Sequence, residues 1–197
     1  IVTLPEWAKQ MRVMQVIDRT GWLETDDYVA TRLPPPEKQK AKVSLTFDDG
    51  WVTAYAYLVN QMDKRGITGT HFIITEYMDK PGYTADYIGS KKVKELLGLG
   101  HEIGSHTLNH EDMSLATPEQ LNENLELSKK RLENLGAKVV SFAWPYGYYT
   151  MPYAERAQQT YNLVRTVKAG INVPPYNTSE LWGFVVTNTT TVAEIEE

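Results

Sequence analysis

Cysteine is absent from the 197 residues, which excludes thiol catalysis, disulfide staples and zinc-ribbon sites. Any metal must therefore be held by His, Asp or Glu. The chain also has no stretch near the ~18 consecutive apolar residues that a membrane span needs. Nor does one sign of charge dominate. Twenty Lys and Arg are interspersed with 25 Asp and Glu for a net charge of −5, which leaves no electrostatic footprint for nucleic acid. A neutral or small polar substrate fits better. The opening residues lack the basic, apolar, small-residue pattern of a signal peptide. Because the chain begins with Ile1 and not Met, an upstream segment is expected. Sequons at Asn177 and Asn188 would count only in a secretory pathway.

What is present is ordinary globular material: 42% hydrophobic and 23% charged residues, at a length suited to one domain. Trp7, Met11, Val13, Met14 and Ile17 are spaced for an amphipathic helix over Pro5–Arg19. Pro34, Pro35 and Pro36 then make a connector, since three prolines neither continue a helix nor enter a central sheet. The boundaries expected from this are an N-terminal extension over 1–41 and a main domain over 42–197. In the main domain strands are predicted at Val43–Phe47, Gly69–Thr75, His101–Ser105 and Val139–Ala143, with further candidates at Asn162–Val167 and Phe184–Thr187. Helices are predicted at Trp51–Lys64, Lys91–Leu97, Pro118–Leu135 and Pro152–Thr160. The third opens on a capping box, Thr117-Pro118-Glu119-Gln120, and stops at Gly136. Such alternation predicts an α/β domain with a largely parallel sheet. A regular eight-fold barrel takes about 250 residues, so a shortened or distorted barrel is expected, with an open doubly wound sheet as the alternative.

Three segments carry chemistry. Leu45-Thr46-Phe47-Asp48-Asp49-Gly50 runs an apolar strand into two carboxylates, at the strand end where parallel folds bind ligands. Adjacent residues on a strand point to opposite faces, and Gly50 permits the sharp turn that lets both serve one site. The competing reading is an Asx turn that caps the next helix. Ser105-His106-Thr107-Leu108-Asn109-His110 follows the third strand and spends two of the chain's four histidines. Imidazoles four residues apart lie on one side of a helical turn and can share a metal, although two surface histidines would read the same. Together the segments supply two nitrogen ligands, one carboxylate ligand and a spare carboxylate. A catalytic zinc site needs three ligands, an open position and a base. His71 and His101 fit structural roles instead. Phe142 to Tyr149 sets Trp144, Tyr146 and Tyr148 around Pro145 and Gly147, as packing or as a surface on which sugar rings stack.

Thr46–Gly50, Gly100–His110 and Phe142–Gly147, in that order, resemble the first three motifs of the polysaccharide deacetylases, the family-four carbohydrate esterases. The third has the form Phe-Ala-aromatic-Pro-Tyr-Gly found in one branch. The resemblance covers roughly residues 42–197 and implies a distorted, incomplete (β/α) barrel with one divalent metal, most often Zn2+, with Co2+ or Ni2+ as alternatives. It makes Asp49, His106 and His110 the ligands, Asp48 the general base and the Tyr146 backbone N–H the oxyanion donor. Trp144, Tyr146 and Tyr148 become substrate contacts. The family usually places a base-orienting arginine where this chain has Ala143. Arg165 looks like the substitute, against the reading of an exposed charge at a strand end.

The implied activity is metal-dependent release of acetyl groups from a polysaccharide. The leading substrate is an N-acetylglucosamine polymer such as chitin oligomers, peptidoglycan or a biofilm glycan, and the implied location is extracellular or in the cell envelope. Acetylxylan is the nearest competing substrate, and a carbohydrate-binding pseudoenzyme is a second reading. Two His and one carboxylate also suit non-haem iron oxygenases, but the α/β alternation and the second aspartate argue against them. No Ser-His or Cys-His signature calls for a covalent intermediate. A last capping box, Thr191-Val192-Ala193-Glu194, starts a helix near the end of the chain. In the family the matching helix leads to a strand ending in a general-acid histidine, so that half of the site is expected to lie beyond Glu197.

Overall fold

The structure, a computed structural model, describes residues 42–187, 189–191 and 193–194. The expected Pro5–Arg19 helix, the proline connector and the Asn188 sequon lie outside them. Five short strands form one parallel sheet in the order β1-β2-β3-β4-β5. They are β1 (Thr46–Phe47), β2 (Thr70–Ile73), β3 (Glu102–Ser105), β4 (Ser141–Ala143) and β5 (Leu163–Arg165). Each strand pairs with the one before it, and the sheet curls into a half-barrel, the distorted, incomplete (β/α) barrel that the sequence predicts.

The strands are shorter than the apolar runs that encode them. Val43 and Leu45 are exposed: Leu45 meets the neighbouring strand through its carbonyl, which accepts the Thr70 N–H at 2.9 Å, and registered pairing starts only at Thr46. The strand expected at Phe184–Thr187 does not form. Leu181 already takes the outer edge of β5 through a bridge to Arg165, and Phe184, Val185 and Val186 stand exposed beyond it.

The helix predicted over Trp51–Lys64 is a composite. Helix α1 (Val52–Ala54) passes through a π-helical stretch, Tyr55–Val59, into α2 (Asn60–Asp63). Helix α3 (Ser90–Gly98) follows. Helix α4 (Pro118–Glu133) starts on the predicted capping box with Pro118 in its first turn, and the backbone turns left-handed at Gly136. Its Leu121, Leu125 and Leu132 recur along one face and are buried. They meet Ile103, Phe142 and Val164 from the sheet and Val93 and Leu96 from α3, in a core between sheet and helices. Burying each such leucine contributes about 2 kcal/mol. Helix α5 (Met151–Thr160) packs beside α4. Near the chain's end, the Thr191–Glu194 capping box is closed by Thr191 N–H to Glu194 at 2.7 Å and Glu194 N–H to Thr191 at 3.4 Å.

His71 and His101 pack at the amino ends of β2 and β3, away from the carboxyl ends, as a buried pair 3.1 Å apart. His101 Nδ1 also accepts the Gly69 N–H at 3.2 Å. That nitrogen is therefore an acceptor, and His71 Nε2 is its donor. Burial, reinforced by His101, pushes His71 down to about 4 from 6.5, and burial lowers His101 as well. In the unfolded chain both protonate near 6.5, whereas the fold resists. Stability is therefore expected to fall as pH drops from 6.5 towards 4, and to gain nothing from this pair above 6.5. Urea unfolding at pH 7.5 and pH 5 checks this: the loss on acidification should be smaller in His71→Phe than in the parent chain.

Candidate metal centre and active site

The site forms at the carboxyl ends of the strands, from the loops that follow β1, β3 and β4 together with the last residue of β5. After Phe47 the chain turns at once. Asp49 has φ 70° and Gly50 φ 77°, and the Gly50 N–H donates to the Asp48 carbonyl at 2.8 Å. A side chain at residue 50 would combine that left-handed backbone with a 3.1 Å approach to Ile73. The turn breaks the strand's alternation, sending Asp48 to Arg165 and Asp49 to the histidines. Neither carboxylate caps α1: its N-cap is Trp51, with no side-chain cap bond. The capping reading of this motif therefore does not hold.

The histidines converge by a different route from the one their spacing predicts. Residues 106–110 form no helical turn. They form a loop in which Thr107 (φ 68°) and His110 (φ 61°) both take left-handed conformations. Thr107 Oγ1 accepts the His110 N–H at 3.1 Å, and Asn124 of α4 accepts the Leu108 N–H at 3.0 Å. Thr75 and Glu76 donate backbone bonds to the carbonyls of Thr107 and Leu108. His106 is buried, and its Nδ1 lies 2.7 Å from the Ala143 carbonyl. A carbonyl only accepts, so Nδ1 carries a proton and Nε2 is the nitrogen left to face the site.

Nε2 faces Asp49. His106 Nε2 lies 3.3 Å and His110 Nε2 3.2 Å from Asp49 Oδ1, and one ligand atom from each residue lies within 4.8 Å of the others. Oδ1 is buried with no hydrogen-bond donor among the described residues. Burial alone would raise the Asp49 carboxyl, but the two imidazoles outweigh it and hold Asp49 well below the usual carboxylate range. Nitrogen and oxygen this close need a proton or a metal cation between them. Two imidazole nitrogens and one carboxylate oxygen form a donor set suited to a divalent transition metal. The residues fit such an ion.

Asp48 and Arg165 make the second half of the site. The guanidinium Nη2 reaches both carboxylate oxygens, at 2.6 and 2.5 Å. Arg165 is the register partner of Ala143 on the neighbouring strand, so its side chain enters from one strand over. Its ring of contacts includes Phe72, 5.2 Å from the guanidinium carbon. On the third side, Tyr146 has φ 57°. Gly147 and Tyr148 donate their N–H groups to Trp144 and Pro145, whereas the Tyr146 N–H has no acceptor among the described residues. Its ring lies edge-on to His110 at 4.5 Å and 6.0 Å from Tyr148, and both tyrosines are about half exposed.

Trp144 corrects an expectation. It is 1% exposed, set edge-on to Phe142 and stacked on Tyr149, so it belongs to the core and offers no sugar a surface. Sequence reading also missed contributors. The Ala143 carbonyl leaves no trace in a side-chain pattern, and Asn124 lies 14 residues past His110 on another element. Trp51 directly follows the Asp-Asp-Gly turn, and that adjacency was a usable signal. Its indole N–H donates to Asp49 Oδ2 at 2.9 Å.

The sequence model of the polysaccharide deacetylase family matches residues 36–163. The peptidoglycan-N-acetylglucosamine deacetylase of Bacillus cereus is 31% identical over 127 residues, covering 64% of this chain and 54% of its own length. The chain spans about half the length, or less, of the curated relatives it matches. Among solved structures, the Streptococcus pyogenes deacetylase PplD in complex with acetate superposes with a TM-score of 0.73 at 24% identity, over 82% of this chain and 70% of that one. IcaB from Ammonifex degensii gives 0.63 at 26% identity, over 74% and 67%. The matched family region runs from before β1 into β5 and takes in all three loops of the site, and the chain belongs to the polysaccharide deacetylases.

Proposed function

We propose that this chain removes acetyl groups from a glycan of N-acetylglucosamine type through a divalent metal held by Asp49, His106 and His110. The observation that carries the reading is the buried Asp49 Oδ1, faced by two imidazole nitrogens, beside a second carboxylate gripped by an arginine. Zinc suits this donor set, and it would supply Lewis acidity towards the acetyl carbonyl and towards water. Asp48 takes the proton of the attacking water as general base, aimed by Arg165. The Tyr146 N–H, with no acceptor among the described residues, donates to the oxygen that gains charge at the tetrahedral stage. Tyr146 and Tyr148 flank the sugar. The peptidoglycan-N-acetylglucosamine deacetylase activity named for the Bacillus cereus relative supports the choice of an amide-linked acetyl group. Residues 42–197 form the catalytic region in this proposal.

The test is acetate release from chito-oligosaccharides, peptidoglycan and acetylated xylan, after chelation and after adding back zinc. Zinc-restored release from the N-acetylated glycans is expected. Binding without release, or release indifferent to chelation, would refute the proposal.

Arg165→Ala removes two charge-assisted bonds worth about 1.5–3 kcal/mol. Deacetylation is expected to slow by roughly ten- to a hundredfold, with zinc content unchanged. Steady-state rates and metal analysis on the same preparation check both halves.

A further inference from the structure

We propose that Trp51 is a positioning residue for Asp49: its indole N–H occupies Oδ2, so that Oδ1 alone is presented to a cation between His106 and His110. This rests on the reading of these three residues as a metal site. The carboxylate's two oxygens have sharply different surroundings. Oδ2 accepts the Trp51 N–H at 2.9 Å, while Oδ1 has no hydrogen-bond partner among the described residues and faces both imidazole nitrogens. A carboxylate with both oxygens free can turn about its own axis or take an ion through both. One firm donor on Oδ2 removes those options, as outer partners do for metal ligands generally.

Packing alone does not account for Trp51. It is 41% exposed, and it stands at the start of α1, where its side chain makes no capping bond. The surrounding structure nevertheless fixes it. Its ring stacks on Tyr87 at 4.6 Å and 28°. The two residues also form an antiparallel bridge. On either side, the Val52 N–H donates to the Asp86 carbonyl at 2.7 Å and the Ile88 N–H to the Gly50 carbonyl at 2.8 Å. Tyr87 lies edge-on to Tyr77 at 4.8 Å. The Tyr77 hydroxyl donates to the Asn109 carbonyl at 3.0 Å, inside the loop that carries both histidines. The tyrosine-rich segment thus ties the aspartate loop and the histidine loop to one platform, with the indole N–H as its contact on the ligand itself.

The test compares variants that lose the donor with one that keeps it. Trp51→Phe retains a stacking ring without an N–H, and Trp51→Met is a second donorless variant should the first fail to fold. Trp51→Gln loses the ring, but its amide nitrogen stands as many bonds from the backbone as the indole nitrogen. Zinc affinity is measured by competition with a chromogenic chelator, and coordination by the visible spectrum of the Co2+-loaded chain. The donorless variants are expected to bind zinc ~10–100-fold more weakly and to alter the Co2+ bands as Asp49 takes the ion through both oxygens. Trp51→Gln should recover part of the loss. If the parent chain binds zinc while a folded donorless variant matches its affinity and Co2+ spectrum, the role of Trp51 is refuted and the metal site stands. If the parent chain itself binds no zinc, the metal site falls, and this inference with it.

Discussion

Replacing His106 with alanine is expected to abolish stoichiometric zinc binding. His106 is the most enclosed of the three candidate ligands, and its ring is already oriented by the Ala143 carbonyl, so its Nε2 arrives pre-aimed. Alanine removes that nitrogen and opens a void at the base of the site. Asp49 and His110 are left as two ligands, too few for a catalytic zinc centre. Metal analysis after gel filtration decides it, with His71→Phe as the control. His71 also lies in a buried histidine pair, but its partner is His101, so that variant should keep its zinc. Full zinc occupancy in His106→Ala would mean that the ion binds elsewhere.

Asp48→Asn is expected to keep the metal and lose the rate, by ~10²–10⁴-fold, the usual contribution of a positioned general base. The amide preserves shape and one acceptor for Arg165, so the loop should hold. What it lacks is the basic oxygen. Asp49→Ala, one residue along, should show the opposite pattern and lose the metal itself. Two neighbouring carboxylates would then be separated by which quantity fails first. Near-parental turnover in Asp48→Asn would pass the role of base to another group.

Much of this site is legible as sequence because its signals sit where apolar runs stop. Thr46–Phe47 leads into Asp48 and Asp49, and Glu102–Ser105 into His106, so strand ends and reactive side chains are read together. Less legible is the manner of convergence. A spacing of four between His106 and His110 reads as one helical turn, yet the same spacing is met here by two left-handed residues, stabilised by Thr107 Oγ1 and Asn124. Local spacing cannot register bonds made to another element. Trp144 misled for a related reason: an aromatic beside Pro and Gly looks exposed, but β4 carries it into the core against Phe142. Phe184–Thr187 has the composition of a strand and no free sheet edge to join, since pairing depends on a partner as well as on propensity.

The Asp48–Arg165 pair also has a consequence for the order in which the molecule matures. Asp48 and Arg165 stand 117 positions apart, one just past the first strand of the sheet and the other at the end of the fifth. The three candidate metal ligands all precede β4. A chain emerging from the ribosome at about 5–20 residues per second exposes the whole ligand set several seconds before Arg165 appears. Closing so long a loop is also entropically costlier than closing the one between Asp49 and His110. The ligand loops need β4 in place, because the Ala143 carbonyl orients His106, but they do not need Arg165, so in the proposed reading the candidate ligands can be assembled before the Asp48–Arg165 pair closes.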